Sequence, residues 1–275
     1  MTEELESKPA SAFSPAAGDI AGDIYSASGL TRGPWHPDHQ HAGPPIALVC
    51  RAIERVAAEH GLGHISRLTS NLLRPVPIGK LTVAVTTDYV GRNVGHFSAQ
   101  LIAGDKEVAR FTALAQRENA VPLPENLPGH PAPGIEKGPD DSPIAIFPFA
   151  SKRIGYADLV ETREARGKFF NGPCAIWFRL RYPLVEGETP SAYQRVAVAA
   201  DSGNGISAIL DFDKYVFVNS DLTINLLRRP EGEWICVDAH TYLGPNGCGL
   251  AESALYDVHG LVGRATQSLS IRARD

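Results

Sequence analysis

None of the four cysteines, Cys50, Cys174, Cys236 and Cys248, belongs to a C-x-x-C pair, and no His/Cys cluster has zinc spacing. That removes the zinc-module reading and leaves the thiols as reduced, partly buried residues of a cytoplasmic protein. Positive charge is also scarce: the formal net charge is −5, which argues against a basic face for nucleic acid and gives no polybasic membrane signal. Small acidic substrates stay open, because a local basic patch does not need a basic protein. Met1 to Pro15 has no apolar core, so neither a signal peptide nor a membrane span is expected there. This segment reads as disordered. Gly-rich phosphate loops and dinucleotide fingerprints are missing. So is the G-x-S-x-G elbow: Asp201-Ser202-Gly203 lacks its first glycine, which disfavours Ser202 or Ser253 as a nucleophile. His36, His39 and His41 fall within six residues, but nothing nearby completes a metal-ligand set. Neither metal nor cofactor is expected.

What the chain does contain is ample apolar sequence, 43% of 275 residues, arranged with period. Ile46, Val49, Ile53 and Val56 with Ala57 give the face of a helix over 45–60, with Pro45 in its first turn and Gly61 and Gly63 at its end. A first strand is expected over Gly22 to Leu30. Strands are then expected over Ser66 to Leu73, Lys80 to Tyr89, Val94 to Ala103 and Glu107 to Arg117. Residues 118–150, rich in proline, read as a linker. Beyond it come strands over Ala157 to Arg166 and Cys174 to Pro183. A helix over Ser191 to Ala200, capped by Ser191, precedes four more strands: Phe217 to Leu227, Glu233 to Leu243, Gly249 to Asp257 and Leu261 to Arg272. Trp35, Trp177 and Trp234 are assigned to core or sheet packing.

Residues 67–117 align with 221–271 without a gap. Leu68 falls on Leu222, Thr69 on Thr223, Asn71 on Asn225, Leu72 on Leu226 and Arg74 on Arg228. Val83, Thr87, Gly95, Leu101, Val108, Arg110 and Thr112 likewise meet their own kind. Chance would give roughly three identities over this span at average composition, and about four times that number occur. The chain is therefore an internal duplication, with a disordered N-terminus at 1–17, one unit at 18–117, the linker at 118–150 and a second unit at 151–275. A helix plus an antiparallel sheet, repeated, suggests a fused pseudo-twofold dimer with its sheets joined edge to edge.

The repeat is its own control. Where the halves differ in polarity, function is the better explanation. At the helix entrances His41 stands against Asp201, within Ala199-Ala200-Asp201-Ser202-Gly203-Asn204-Gly205. On the last strand Ala113 stands against Gln267, and Arg67 against Asp221. Asp201 is an aspartate at a turn or helix start, catalytic or simply a cap. Asp221 reads as a partner of a cation or a strand-end cap.

Five short stretches, in this order, carry a family resemblance: His41-Ala42-Gly43-Pro44-Pro45, Leu72 to Gly79 with its Arg74-Pro75 turn, Ala200-Asp201, Asp221-Leu222-Thr223 and Ala265-Thr266-Gln267. With the duplication, they make the chain resemble the acyl-CoA thioesterases of the thioesterase II type. The resemblance covers about Thr31 to Arg117 and Gln194 to Arg272. It implies an α+β double hotdog: two tandem units, each a long helix wrapped by an antiparallel sheet, sheets joined edge to edge. It implies hydrolysis of acyl-CoA to fatty acid and CoA by direct water attack, and association into a homo-oligomer, a dimer of double hotdogs. Asp201 matches the family's general base and Gln267 its water-orienting amide. The third member is a hydroxyl residue, and its place falls on Asn219, with Thr223 the nearest inward alternative; both stay open. His41 is structural or substrate-lining, and Gly43 would let the thioester carbonyl approach the helix N-terminus, whose N–H groups favour an oxyanion. Two other readings are kept: a hotdog enoyl-CoA hydratase or dehydratase, which a histidine beside Asp201 would favour, and a non-catalytic acyl-thioester or lipid binder.

Overall fold

The computed structural model describes residues 8–16, 23–124, 134–147 and 153–274. The elements are β1 (Phe13–Pro15), β2 (Ile24–Ala27), α1 (Gly43–Glu59), β3 (His64–Leu72), β4 (Lys80–Val90), β5 (Val94–Ala103), β6 (Lys106–Gln116) and β7 (Ile144–Ala145). Then come α2 (Tyr156–Leu159), β8 (Val160–Arg166), β9 (Cys174–Leu180), α3 (Ala192–Ala200), α4 (Gly203–Ile206), β10 (Tyr215–Asn219), β11 (Asp221–Leu226), β12 (Ile235–Leu243), β13 (Cys248–Asp257) and β14 (Gly260–Ala273). One antiparallel sheet runs β1-β2-β4-β5-β6-β3-β11-β14-β13-β12-β9-β8-β7, with β10 pairing off this path to β14.

The duplication has a spatial centre. β3 and β11 pair antiparallel, and Thr223 lies opposite Thr69, its own repeat equivalent. Asp221 lies opposite Asn71 and Asn225 opposite Arg67, so each pair swaps under the repeat. A pseudo-twofold axis therefore passes between the two threonines, and the edge that each half would expose is consumed by the other.

α1 forms because Pro44 and Pro45 fit a helix's first turn and an apolar stripe follows. Ile46, Leu48, Val49 and Ile53 are buried in the core, each contributing about 1.5–3 kcal/mol of transfer free energy. Gly61, at φ +69°, ends the segment. α3 begins as expected at Ser191, whose hydroxyl accepts the Gln194 N–H at 3.1 Å. The two helices run antiparallel: Gly43 at the start of α1 lies against Val198 near the end of α3, and Glu54 of α1 meets Ser191.

Several expectations are corrected. Disorder over 1–17 does not hold for 8–16: Phe13 is fully buried, and its N–H donates to the Leu184 carbonyl at 2.8 Å. Residues 1–7 and 17 lie outside the described residues. The first strand is only Ile24–Ala27, followed by a 3-10 turn at Gly29–Thr31. Within the expected linker, Ile144–Ala145 pairs with β8 and extends the sheet of the second half. The strand expected from Ala157 begins as the short helix α2, capped by the Asp158 carboxylate accepting the Gly155 N–H at 2.9 Å.

Candidate active site

The site gathers where the end of α3 meets the start of α1. Asp201 is the C-cap of α3, not an N-cap: the next short helix starts from Ser202, with no side-chain cap bond. Its carboxylate instead receives side chains from three other elements. Asn219, at the end of β10, donates its amide to Oδ1 at 2.9 Å. His41, before α1, brings Nδ1 to 3.0 Å from Oδ2. Gln267, on β14, donates Nε2 to the Asp201 carbonyl at 3.1 Å and reaches Oδ1 at 3.5 Å. The Asp201 side chain is 4% exposed and that of His41 is 16% exposed. A buried carboxylate needs this many donors, because an unpaired charge there would be costly.

Asn219 and Thr223 are four residues apart and would share a face in an unbroken strand. Their partners on β14, Leu269 and Thr266, are only three apart. The extra residue falls at Ser220, where the Asp221 carboxylate accepts the Ser268 N–H at 2.6 Å, a strand-irregularity cap. This bulge turns Asn219 inward beside Leu269 and Thr223 outward beside the exposed Thr266. Thr223 hydrogen-bonds Thr69 at 3.2 Å on the pseudo-twofold axis and is not part of the Asp201 cluster.

Gln267 is engaged on both sides of its amide by the turn that carries Asp201. It is 2% exposed, its Oε1 accepts the Asn204 N–H at 2.8 Å, and its amide holds Asp201 from behind. Gly43 also has a packing reason. A Cβ there would lie 2.6 Å from the Val198 carbonyl, so glycine is required for the close approach of α1 and α3. A Cβ at Gly203 would come within 2.6 Å of Ser253 Oγ, which would have to turn aside. That leaves Ser253 as packing beneath the helix turn.

His41 stacks flat on Tyr156, with centroids 3.8 Å apart and planes 5° apart. The Tyr156 hydroxyl is tied to the Val198 carbonyl and to Ser202, each at 2.9 Å. Burial, and secondarily the Asp201 charge, push the phenol well above its ordinary range, so it is a fixed neutral wall. His41 Nδ1 lies within reach of both the Gly43 N–H, at 3.2 Å, and the Asp201 carboxylate. One ring nitrogen cannot accept from the first and donate to the second. The Gly43 N–H is the donor aimed at Nδ1, and the Asp201 carboxylate stands beside the same nitrogen as a close ion-pair contact.

Two cavities flank this cluster. The smaller, about 330 Å³, is lined by Asp201, Asn204 and Asn219. The larger, about 450 Å³, contains Tyr156 and Ser202 in its wall. Pro34, Trp35, His41, Phe170 and Gly205 line both. Trp35 is therefore not core: it is 39% exposed and stacks on Phe212 at 4.6 Å. Sequence reasoning missed Trp35, Tyr156, Phe170 and Asn204. Only Asn204 had a local signal, its place inside the stretch that begins at Ala199. Among the described residues no group of three or more His, Cys, Asp and Glu is placed to hold a metal ion, and no helix is long and apolar enough to cross a membrane.

No curated protein matches the chain. Solved structures do. A Thermobifida fusca protein described as a thioesterase II is 15% identical, with a TM-score of 0.71, 91% of this chain and 92% of the other being covered. A hot dog protein of unknown function from Alicyclobacillus acidocaldarius is 16% identical at a TM-score of 0.69, covering 92% and 95%. An acyl-CoA thioesterase II from Mycobacterium marinum is 16% identical at 0.63, covering 92% and 94%. At these identities the likeness establishes the fold, a double hotdog, and no more. The family models reach further: the acyl-CoA thioesterase N-terminal domain matches residues 31–116 and the C-terminal domain residues 124–271. With both domains matched in tandem across most of its length, this chain belongs to the acyl-CoA thioesterase family of thioester hydrolases.

Proposed function

We propose that the protein hydrolyses acyl-CoA thioesters by direct attack of a water activated at Asp201. The carboxylate takes one proton from the water as its oxygen bonds to the thioester carbon. The developing oxyanion is met at the N-terminus of α1, where the helix dipole favours negative charge. Collapse of the adduct breaks the C–S bond, and the proton passes from Asp201 to the departing sulfur. Asn219 and Gln267 are positioning residues that hold the carboxylate, and His41 holds its other oxygen.

The observation that carries this reading is the convergence of Asn219, His41 and Gln267 on one buried carboxylate at the wall of a cavity. Free-thiol release from short to long acyl-CoAs, in wild type and Asp201→Asn, tests it. Turnover that falls ~100-fold or more in the mutant supports Asp201 as general base. Turnover untouched by the mutation sinks that role. Wild type that binds acyl-CoA without turnover supports the binding-protein reading.

One observation favours a second reading. A histidine 3.0 Å from the acid is the pairing that hydration of an enoyl thioester uses. Loss of the enoyl absorbance of crotonyl-CoA without thiol release would select hydration over hydrolysis.

A further inference from the structure

The smaller cavity, which Asp201 walls, holds two acceptors that no group among the described residues satisfies. Gln40 and Asn204 both line it and are 8% and 5% exposed. Each amide is fixed by its NH2 end. Gln40 Nε2 donates to the Pro77 carbonyl at 2.7 Å, and Asn204 Nδ2 to the Phe217 carbonyl at 3.1 Å. Those bonds settle which end of each amide is oxygen, since the reverse would set carbonyl against carbonyl. Gln40 Oε1 and Asn204 Oδ1 are then buried with no hydrogen-bond partner. Among the described residues only one other buried side-chain polar atom lacks a partner, Arg67 Nε, and Arg67 does not line this cavity.

A buried amide oxygen is costly unless a donor meets it. Leucine or methionine would occupy a similar volume without that cost, so two such oxygens in one wall point to a ligand that brings a donor. We propose that the acyl group taken by this site carries a hydroxyl close to its thioester, which Gln40 and Asn204 recognise and a plain alkyl chain lacks. This deepens the reading of Asp201 as the base of an acyl-CoA hydrolase and rests on it.

The placement of the two amides supports a hydroxyl near the reacting end. The Asn204 N–H donates to Gln267 Oε1 at 2.8 Å, and Nε2 of the same glutamine holds the Asp201 carbonyl at 3.1 Å. One side chain therefore joins Asn204 to the residue that carries the base. Gln40 immediately precedes His41, whose Nδ1 stands 3.0 Å from Asp201 Oδ2. The rest of the wall suits carbon. Leu72, Val76, Phe212 and Phe217 line it, and Trp35 stacks on Phe212 and meets Phe217 edge-on at 5.4 Å. An amide oxygen only accepts, so a ketone or a carboxylate on the acyl group gains nothing from Gln40 Oε1 or Asn204 Oδ1, whereas a hydroxyl donates.

The test compares thiol release from 2- and 3-hydroxybutyryl-CoA with release from butyryl-CoA and from acetoacetyl-CoA, in which a carbonyl replaces the hydroxyl. Wild-type kcat/KM is expected to be about tenfold or more higher for at least one hydroxyacyl-CoA than for the other two, because a site built to bond a hydroxyl discriminates against analogues without one. In Gln40→Met or Asn204→Leu, which remove one acceptor each, that ratio falls toward one. A wild type with no preference overturns the proposal. So does a ratio that both variants leave intact, as it would be if the two oxygens served the attacking water or the pantetheine arm common to every acyl-CoA. Should neither variant fold, calorimetry on wild type with two non-hydrolysable thioethers decides. Binding of S-(3-hydroxybutyl)-CoA about tenfold tighter than S-butyl-CoA upholds the hydroxyl site, and equal affinity refutes it. Absence of turnover on all four thioesters would sink the hydrolase reading, and the thioether pair would still decide this one.

Discussion

His41 Nδ1 lies 3.0 Å from Asp201 Oδ2, so the chain just before the helix of one half touches the residue that ends the helix of the other. The contact exists because α1 and α3 run antiparallel about the pseudo-twofold axis. It makes the site a joint product of the two halves.

Replacing His41 separates its two nitrogens. His41→Ala removes the imidazole that stands 3.0 Å from Asp201 Oδ2 and is expected to lower kcat about 10–100-fold, the cost of a buried carboxylate losing its partner. His41→Asn places an amide N–H near the Nδ1 position and is expected to recover most of that loss. Kinetics on both variants check it. No recovery would mean that the other ring nitrogen carries a proton in the reaction.

Asn219 is expected to tolerate Thr and to reject Asp. Asn219→Thr keeps a donor near Asp201 Oδ1 and retains activity within about tenfold. Asn219→Asp sets two carboxylates against each other, where the native bond is 2.9 Å, and should abolish turnover. Thr223→Val serves as the control: it removes one hydrogen bond at the sheet seam, about 0.5–1.5 kcal/mol of stability, with kcat unchanged. Chemical denaturation and thiol release measured together would expose any catalytic part for Thr223.

Gly43→Ala should damage stability and turnover together. Its methyl would meet the Val198 carbonyl at 2.6 Å and force α1 from α3, a strain of about 1–3 kcal/mol. Thermal melts read the first effect and kcat the second. A variant as stable and active as wild type would show that the helices do not need this approach.

Glu54 gives the chain a pH-dependent stability. Burial raises its carboxyl above the ordinary range, against hydrogen bonds from Ser191 and Gln194 and the charges of Arg229 and Arg51. A raised carboxyl contributes fully below the unfolded-state value of about 4.3 and loses that contribution as pH rises through the folded value. Glu54→Gln imitates the protonated form. It is expected to raise the melting temperature at pH 7 to 8, with the difference vanishing below about pH 4. An equal difference at both pH values would assign the effect to packing.

Much of the fold was legible because it depends on short-range pattern. β5 and β13 have equivalent bounds under the repeat, Val94–Ala103 and Cys248–Asp257, and alternation marks both. Ser191 announced α3 by its hydroxyl. β1 was not legible: three residues carry too little pattern, and Phe13 is ordered by the Leu184 carbonyl, far along the chain. Trp35 and Tyr156 were likewise silent, since an aromatic residue in a loop or at a helix start looks the same whether it lines a cavity or fills a core.

By itself the sequence determined the duplication, the periodic strands and the two helices, because each follows from residue type and spacing along the chain, and it singled out the Asp201 carboxylate as a candidate. Tertiary structure decided which groups reach that carboxylate. Side chains alternate faces along a strand, so the single extra residue at Ser220 exchanges Asn219 for Thr223. Whether a strand carries such a residue is set by its pairing with β14, not by its own composition. The meeting of His41 with Asp201 is decided in the same way, by the antiparallel packing of two helices from different halves, which spacing along one chain does not encode.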